Sequence, residues 1–157
     1  MFFASATYTV IHTTIAIVGI ITGFIALIGM LKGEARPAWT ALFLLSTIAA
    51  SLTGFGFPYG GFLPSHVLGV ISLIVLAVAL LGFYVYGLAG AWRWIYVVAA
   101  TIALYLNCFV AVVQAFHKIP SLQTLAPTQS EPPFAIAQLA LLAAFIWLGY
   151  LTVKRFR

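Results

Sequence analysis

No Asp, Glu, Lys or Arg precedes Lys32, and none lies between Arg36 and Arg93, between Arg93 and Lys118, or between Glu131 and Lys154. Charge-free runs of this length dictate the solvent. A soluble domain carries roughly a quarter charged residues, whereas here 6% are charged and 64% are hydrophobic, with a mean hydropathy of +1.18. No soluble fold of 157 residues covers that much apolar surface. The chain must be solvated mostly by lipid, where only helices and closed barrels satisfy their own backbone groups. Barrel strands alternate polar and apolar residues over about ten positions. These runs are long and continuous, so the fold class is all-α, a polytopic transmembrane helical bundle.

Five segments are long enough to span: about 4–31, 37–54, 65–86, 94–117 and 134–153. Each is close to the about 20 residues that a bilayer core requires. Together they make one transmembrane domain over 1–157, with four spans and a re-entrant segment as the alternative. The N-terminal run has no basic n-region and exceeds the 7–15 apolar residues of a signal peptide, so it reads as a retained helix. The stretch KIPSLQTLAPTQSEPP, Lys118 to Pro133, is rich in Pro, Ser, Thr and Gln and reads as a loop. In GFGFPYGG, from Gly54, the glycines suit tight turns at the membrane surface. It is not GxGxxG and follows no strand, so it gives no nucleotide site.

Basic residues set an orientation. Lys32 and Arg36 follow the first span, Arg93 precedes the fourth, and Lys154, Arg155 and Arg157 follow the fifth. Only Lys118 is on the opposite side. The positive-inside rule then places the N-terminus outside and the C-terminus in the cytoplasm. Trp39, Trp92, Trp94 and Tyr150 fall near the inner interface, and Tyr8, Phe57 and Tyr59 near the outer one. The formal charge of +5 is scattered, which argues against nucleic acid as a partner. Cys108 is the one cysteine, which excludes an intramolecular disulfide, a CxxC pair and a cysteine-built zinc site. Inside an apolar run it reads as a small buried hydrophobe.

With this topology the polar side chains gather at the outer end. His12, His66 and His117 all fall there, with Gln114, Gln138 and Glu131. His12, Ala16, Gly19, Gly23 and Ala26 recur at spacings of three and four and form one small-residue stripe. Gly19 and Gly23 make a GxxxG that permits close helix approach, to a neighbour in the bundle, a second copy or a partner complex. Ala100, Ala103, Asn107, Ala111 and Gln114 form a similar stripe that leads to His117. Three helices so arranged aim polar groups at one outer pocket.

Ionisable residues inside a membrane mark function by default. One chemistry is haem b, which needs facing histidines and no CxxCH; His12 and His66 are the preferred axial pair, with His117 and Gln114 in the same site. The other is a metal ion, zinc or copper, held by His12, His66, His117 and Glu131. Neither has a recognised ligand spacing, since HxxxH and ExxH are absent. The plain alternative is that interfacial histidines contact headgroups and that Asn107, Gln114 and Gln138 are interhelical glue of about 0.6 kcal/mol each. Ser46, Thr47, Ser51 and Thr53 read as hydroxyls bonded back to their own helix.

FLPSH (62–66), AGAWRWIYV (89–97) and LAPTQSEPPF (125–134) resemble stretches of small uncharacterised bacterial multi-spanning inner-membrane proteins. The resemblance implies a helical bundle in a bacterial plasma membrane and carries no activity, ligand or residue role. Three functions follow from the residues: electron transfer by haem or a metal, with a quinone or a periplasmic partner; a cofactor-free accessory or scaffold subunit; or a small-molecule or ion pathway. The absence of an inverted repeat and of charge at mid-bilayer argues against a coupled transporter.

Overall fold

The computed structural model describes residues 5–56 and 64–156, the side chains of 64 and 65 excepted. Ala4 at the start of the first span, the aromatics Phe57 and Tyr59, the glycine turns beyond Gly56, and Arg157 lie outside the described residues. The described chain forms α1 (Ala6–Leu31), α2 (Pro37–Gly54), α3 (Pro64–Leu80), α4 (Trp92–Lys118), α5 (Pro120–Leu125) and α6 (Pro132–Arg155), with no strand among these residues. A π-helical turn, Leu81–Val85, prolongs α3. All helices but α5 are long and apolar enough to cross a membrane, which makes the chain an integral membrane bundle of five spans. The long connection after α4 was expected as loop throughout. It holds the short α5, started by Pro120, whose fixed φ suits a first helical position.

Short connections force neighbouring helices antiparallel. α1 stops in a Schellman motif: Gly33 takes φ +79°, its N–H donates to the Met30 carbonyl, and the Glu34 N–H donates to the Gly29 carbonyl. Arg36 then lies across Gly29, where a Cβ would fall 2.6 Å from its Cδ, and its Nε donates to Glu34 at 2.9 Å. At the α3–α4 hairpin the π turn delivers Tyr86 onto Trp92, with the rings stacked 4.3 Å apart.

α4 is the central helix, packed on α1, α3, α5 and α6. Its Tyr96, Val97, Ala100, Ala103 and Leu104 are buried against Leu27 and Met30 of α1, Phe43 and Leu44 of α2, Leu76 and Ala79 of α3, and Phe145 of α6. Small residues let α1 close on this core: Gly19 and Gly23 are both buried, facing α2 and α4. In contrast, α6 is peripheral. Only 11% of its spanning window is buried within the chain, against 44% for α4.

The two ends differ. Lys32, Arg36, Arg93, Lys154 and Arg155 collect at one, where Gly33 approaches the Arg155 carbonyl and Arg93 lies 4.7 Å over the Phe156 ring. The other carries His12, His66 and His117. These are called below the basic end and the histidine end.

Candidate functional site

Helix α2 is the polar spine of the bundle. Its hydroxyls bond back to their own helix, as Ser46 to Leu42, Ser51 to Thr47 and Thr53 to Ala49. Each donates its one proton there and keeps lone pairs for a neighbour. Three neighbouring helices reach Ser51, Thr53 or the further hydroxyl of Thr47. Asn107 of α4 donates to Thr47 Oγ1 at 3.0 Å, Ser72 of α3 is 3.1 Å from Ser51 Oγ, and His12 of α1 places Nδ1 2.7 Å from Thr53 Oγ1. Gly19 leaves room for the first of these contacts, since a Cβ there would lie 3.1 Å from Thr47 Oγ1 and 3.4 Å from Asn107 Nδ2.

The last turn of α2 gathers two of the expected residues. Tyr8 donates its hydroxyl proton to the Thr53 carbonyl at 2.6 Å. His12 Nδ1 and the Thr53 hydroxyl share a hydrogen bond of 2.7 Å, and the same hydroxyl lies 2.7 Å from the Ala49 carbonyl. His66 is buried in the first turn of α3. Its ring stacks on Phe55, centroids 5.6 Å apart and planes 16° apart. Phe55 fits because Gly69 is bare: a Cβ there would fall 2.7 Å from the Phe55 ring. His12 and His66 thus both seat on residues 53–55.

The other expected residues are elsewhere. Gln114 and His117 are exposed on α4. Their stripe winds away from the core for a geometric reason. From Ala100 to His117 the chain advances about 100° per residue and falls about 100° short of five turns, so it cannot hold one face of a straight helix. His117 instead lies in the last turn of α4 beside Lys118, whose charge complements the helix dipole. Glu131 is the N-cap of α6 and serves its own loop. It accepts from the Thr128 hydroxyl at 2.6 Å, the Thr128 N–H at 3.2 Å and the Ser130 N–H at 3.1 Å. The Thr128 hydroxyl first, and these N–H groups with it, hold the Glu131 carboxyl below the usual carboxylate range. Among the described residues no three His, Cys, Asp or Glu side chains come together as a metal site, so His12, His66, His117 and Glu131 are not assembled as one ligand set.

Sequence reasoning did not single out Tyr8, Thr53 and Phe55 as the partners that fix the histidines. The recurrence of Thr and Ser along α2 was the available signal. Gln138 fits the reading as interhelical glue through one atom only: its Nε2 donates to the Phe109 carbonyl of α4 at 3.2 Å, while its buried Oε1 has no hydrogen bond among the described residues.

These features define a polytopic helical membrane protein in which polar side chains of α1, α3 and α4 meet hydroxyls of α2. Comparison with family models, with curated proteins and with solved structures returns no match.

Proposed function

We propose that this membrane protein is an accessory or scaffold subunit, without a cofactor of its own, that docks laterally on a larger membrane complex. The observation that carries the reading is the weak internal packing of α6, 11% of its window. Helices in lipid associate through close packing rather than a hydrophobic driving force. A span held this loosely by its own chain gains most from a neighbour. Opposite the buried Gln138, Phe145 and Thr152, α6 presents Ile136, Ala140, Ala143 and Trp147, all exposed. The two alanines permit close backbone approach, flanked by an aliphatic and an aromatic anchor. Gly19 and Gly23 are already occupied by α2 and α4, so the docking ridge is assigned to α6. We place the chain in a bacterial inner membrane with its basic end cytoplasmic, on the charge asymmetry. The test is affinity purification in mild detergent. Ala140→Phe with Trp147→Ala should release co-purifying membrane partners while the protein still accumulates; full retention of those partners sinks the reading.

A second reading keeps the histidines as axial ligands of a b-type haem that exchanges electrons with a quinone or a periplasmic partner. It is favoured by His12, whose Nδ1 is anchored on Thr53 at 2.7 Å, the kind of outer-shell contact that orients a ligating imidazole. His66 approaches the same turn of α2 through Phe55. An optical spectrum of the purified protein, oxidised and then reduced with dithionite, decides it. Haem bands that His12→Ala or His66→Ala removes would support it, and a colourless protein from haem-replete cells excludes it.

A further inference from the structure

A groove of about 370 Å³ runs between α4 and α6 on the lipid-facing side. Val98, Thr101 and Tyr105 form one wall, and Leu142, Ile146 and Tyr150 the other. Gly149 forms its floor, where a Cβ would stand 3.4 Å from Thr101 Cγ2. The groove offers no unpaired polar group at Thr101, whose hydroxyl donates to the Val97 carbonyl at 2.7 Å. From Leu142 to Val153 it extends about 16 Å at 1.5 Å per residue. That is about half of a 30 Å hydrocarbon core. The groove is therefore one leaflet deep, with Tyr150 and Val153 at the end nearer the basic residues.

Its mouth is cationic. Lys154 Nζ lies 5.5 Å over the ring of Tyr150, a wall residue, and the Arg93 guanidinium lies over Phe156 at the start of α4. Lys32, Arg36 and Arg155 share this end. Its one side-chain carboxylate among the described residues, Glu34, is already paired with Arg36 at 2.9 Å. Among the described residues no side-chain carboxylate pairs with Lys154 or Arg93.

We propose that the α4–α6 groove seats an acyl chain of an anionic phospholipid, with Lys154 and Arg93 holding its phosphate headgroup. An apolar slot one leaflet deep fits a lipid tail in length, and the charge at its mouth selects the headgroup. Basic pockets at the ends of transmembrane helices recognise anionic lipids in this manner. The groove adjoins the Ile136–Trp147 ridge, the Trp147 ring lying 6.2 Å from that of Tyr150, so lipid binding is read on the purified chain without partners, where its outcome is separate from that of the docking reading.

The test is native mass spectrometry of the full chain, delipidated in a neutral detergent and titrated with phosphatidylglycerol or with phosphatidylcholine of the same acyl chains. Phosphatidylglycerol should bind on the order of tenfold more tightly. Lys154→Ala with Arg93→Ala should bring the two lipids level. Gly149→Leu should weaken both by filling the floor. Ile146→Phe, at a lip position 65% exposed, makes the same test where Gly149→Leu fails to fold. Equal binding of the two lipids by the unaltered protein overturns the proposal. So does a phosphatidylglycerol affinity unchanged by Ile146→Phe or by a folded Gly149→Leu, because the lipid would then be held away from the groove.

Discussion

A Cβ at Gly23 would lie 2.6 Å from Leu104 Cδ1 and 2.8 Å from Phe43 Cδ1. Both obstacles are side-chain ends in the tightest part of the core, so Gly23→Ala forces repacking rather than a backbone break. We expect a loss of about 1–3 kcal/mol, read from reversible unfolding in mixed detergent; an unchanged midpoint contradicts this packing. The Asn107–Thr47 bond is different in kind. Its double-mutant coupling should be about 0.6 kcal/mol and not exceed about 1.7 kcal/mol, because polar groups of the membrane-unfolded chain also find partners. Gln138 tests the opposite case. One of its amide atoms is bonded and the other is buried and unsatisfied. Gln138→Met removes both, and the loss of an orphaned acceptor offsets the loss of a bond. The same unfolding assay should give a near-neutral or stabilised variant; a loss of several kcal/mol would show that Oε1 has a partner.

At the scale of elements, the spans were legible because apolar length is a one-dimensional property. The predicted ends at Leu31, Pro37 and Gly54 coincide with the helix bounds, and α4 and α6 each begin two residues earlier than predicted. The π turn and α5 were not legible, since both depend on how a hairpin or a loop lies on the bundle. The connection before α6 makes a pH prediction. Glu131 has a folded-state pKa below its ordinary value, so its contribution is present above the ordinary value and is lost as pH falls through the depressed one. Proteolysis of the 119–131 segment in detergent should therefore stay slow at neutral pH and accelerate only on the acid side of the usual carboxylate range. Glu131→Gln should make cleavage fast at all pH values. A rate that is flat with pH in the unaltered protein would remove Glu131 as the clamp of this loop.

For the whole molecule, the separation into a basic and a histidine end predicts topology. A reporter fused after Arg157 should be active only as a cytoplasmic fusion, and one joined at the N-terminus only as an exported one. The reverse pattern would place the histidine end in the cytoplasm and the phospholipid seat in the opposite leaflet. The arrangement also explains why His12 and His66 meet at one turn of α2 while Gln114, His117 and Glu131 do not join them there. A helix end is a ring of positions. Being at the same depth brings side chains to one layer of the bundle and leaves their direction open.

Sequence alone determined the solvent, the helical class, the number of spans and the layer in which each polar group lies. These follow from composition along a line and from the length a bilayer imposes. Only the tertiary structure decided which way each group points. It turned His12 and His66 onto the last turn of α2, left Gln114 and His117 exposed, bound Glu131 into its loop, and closed Gly19 and Gly23 within the chain. The reason is rotational. A few residues of drift in a 3.6-residue period move a side chain from core to lipid, and the helix packing that fixes this rotation depends on residues far apart in the chain.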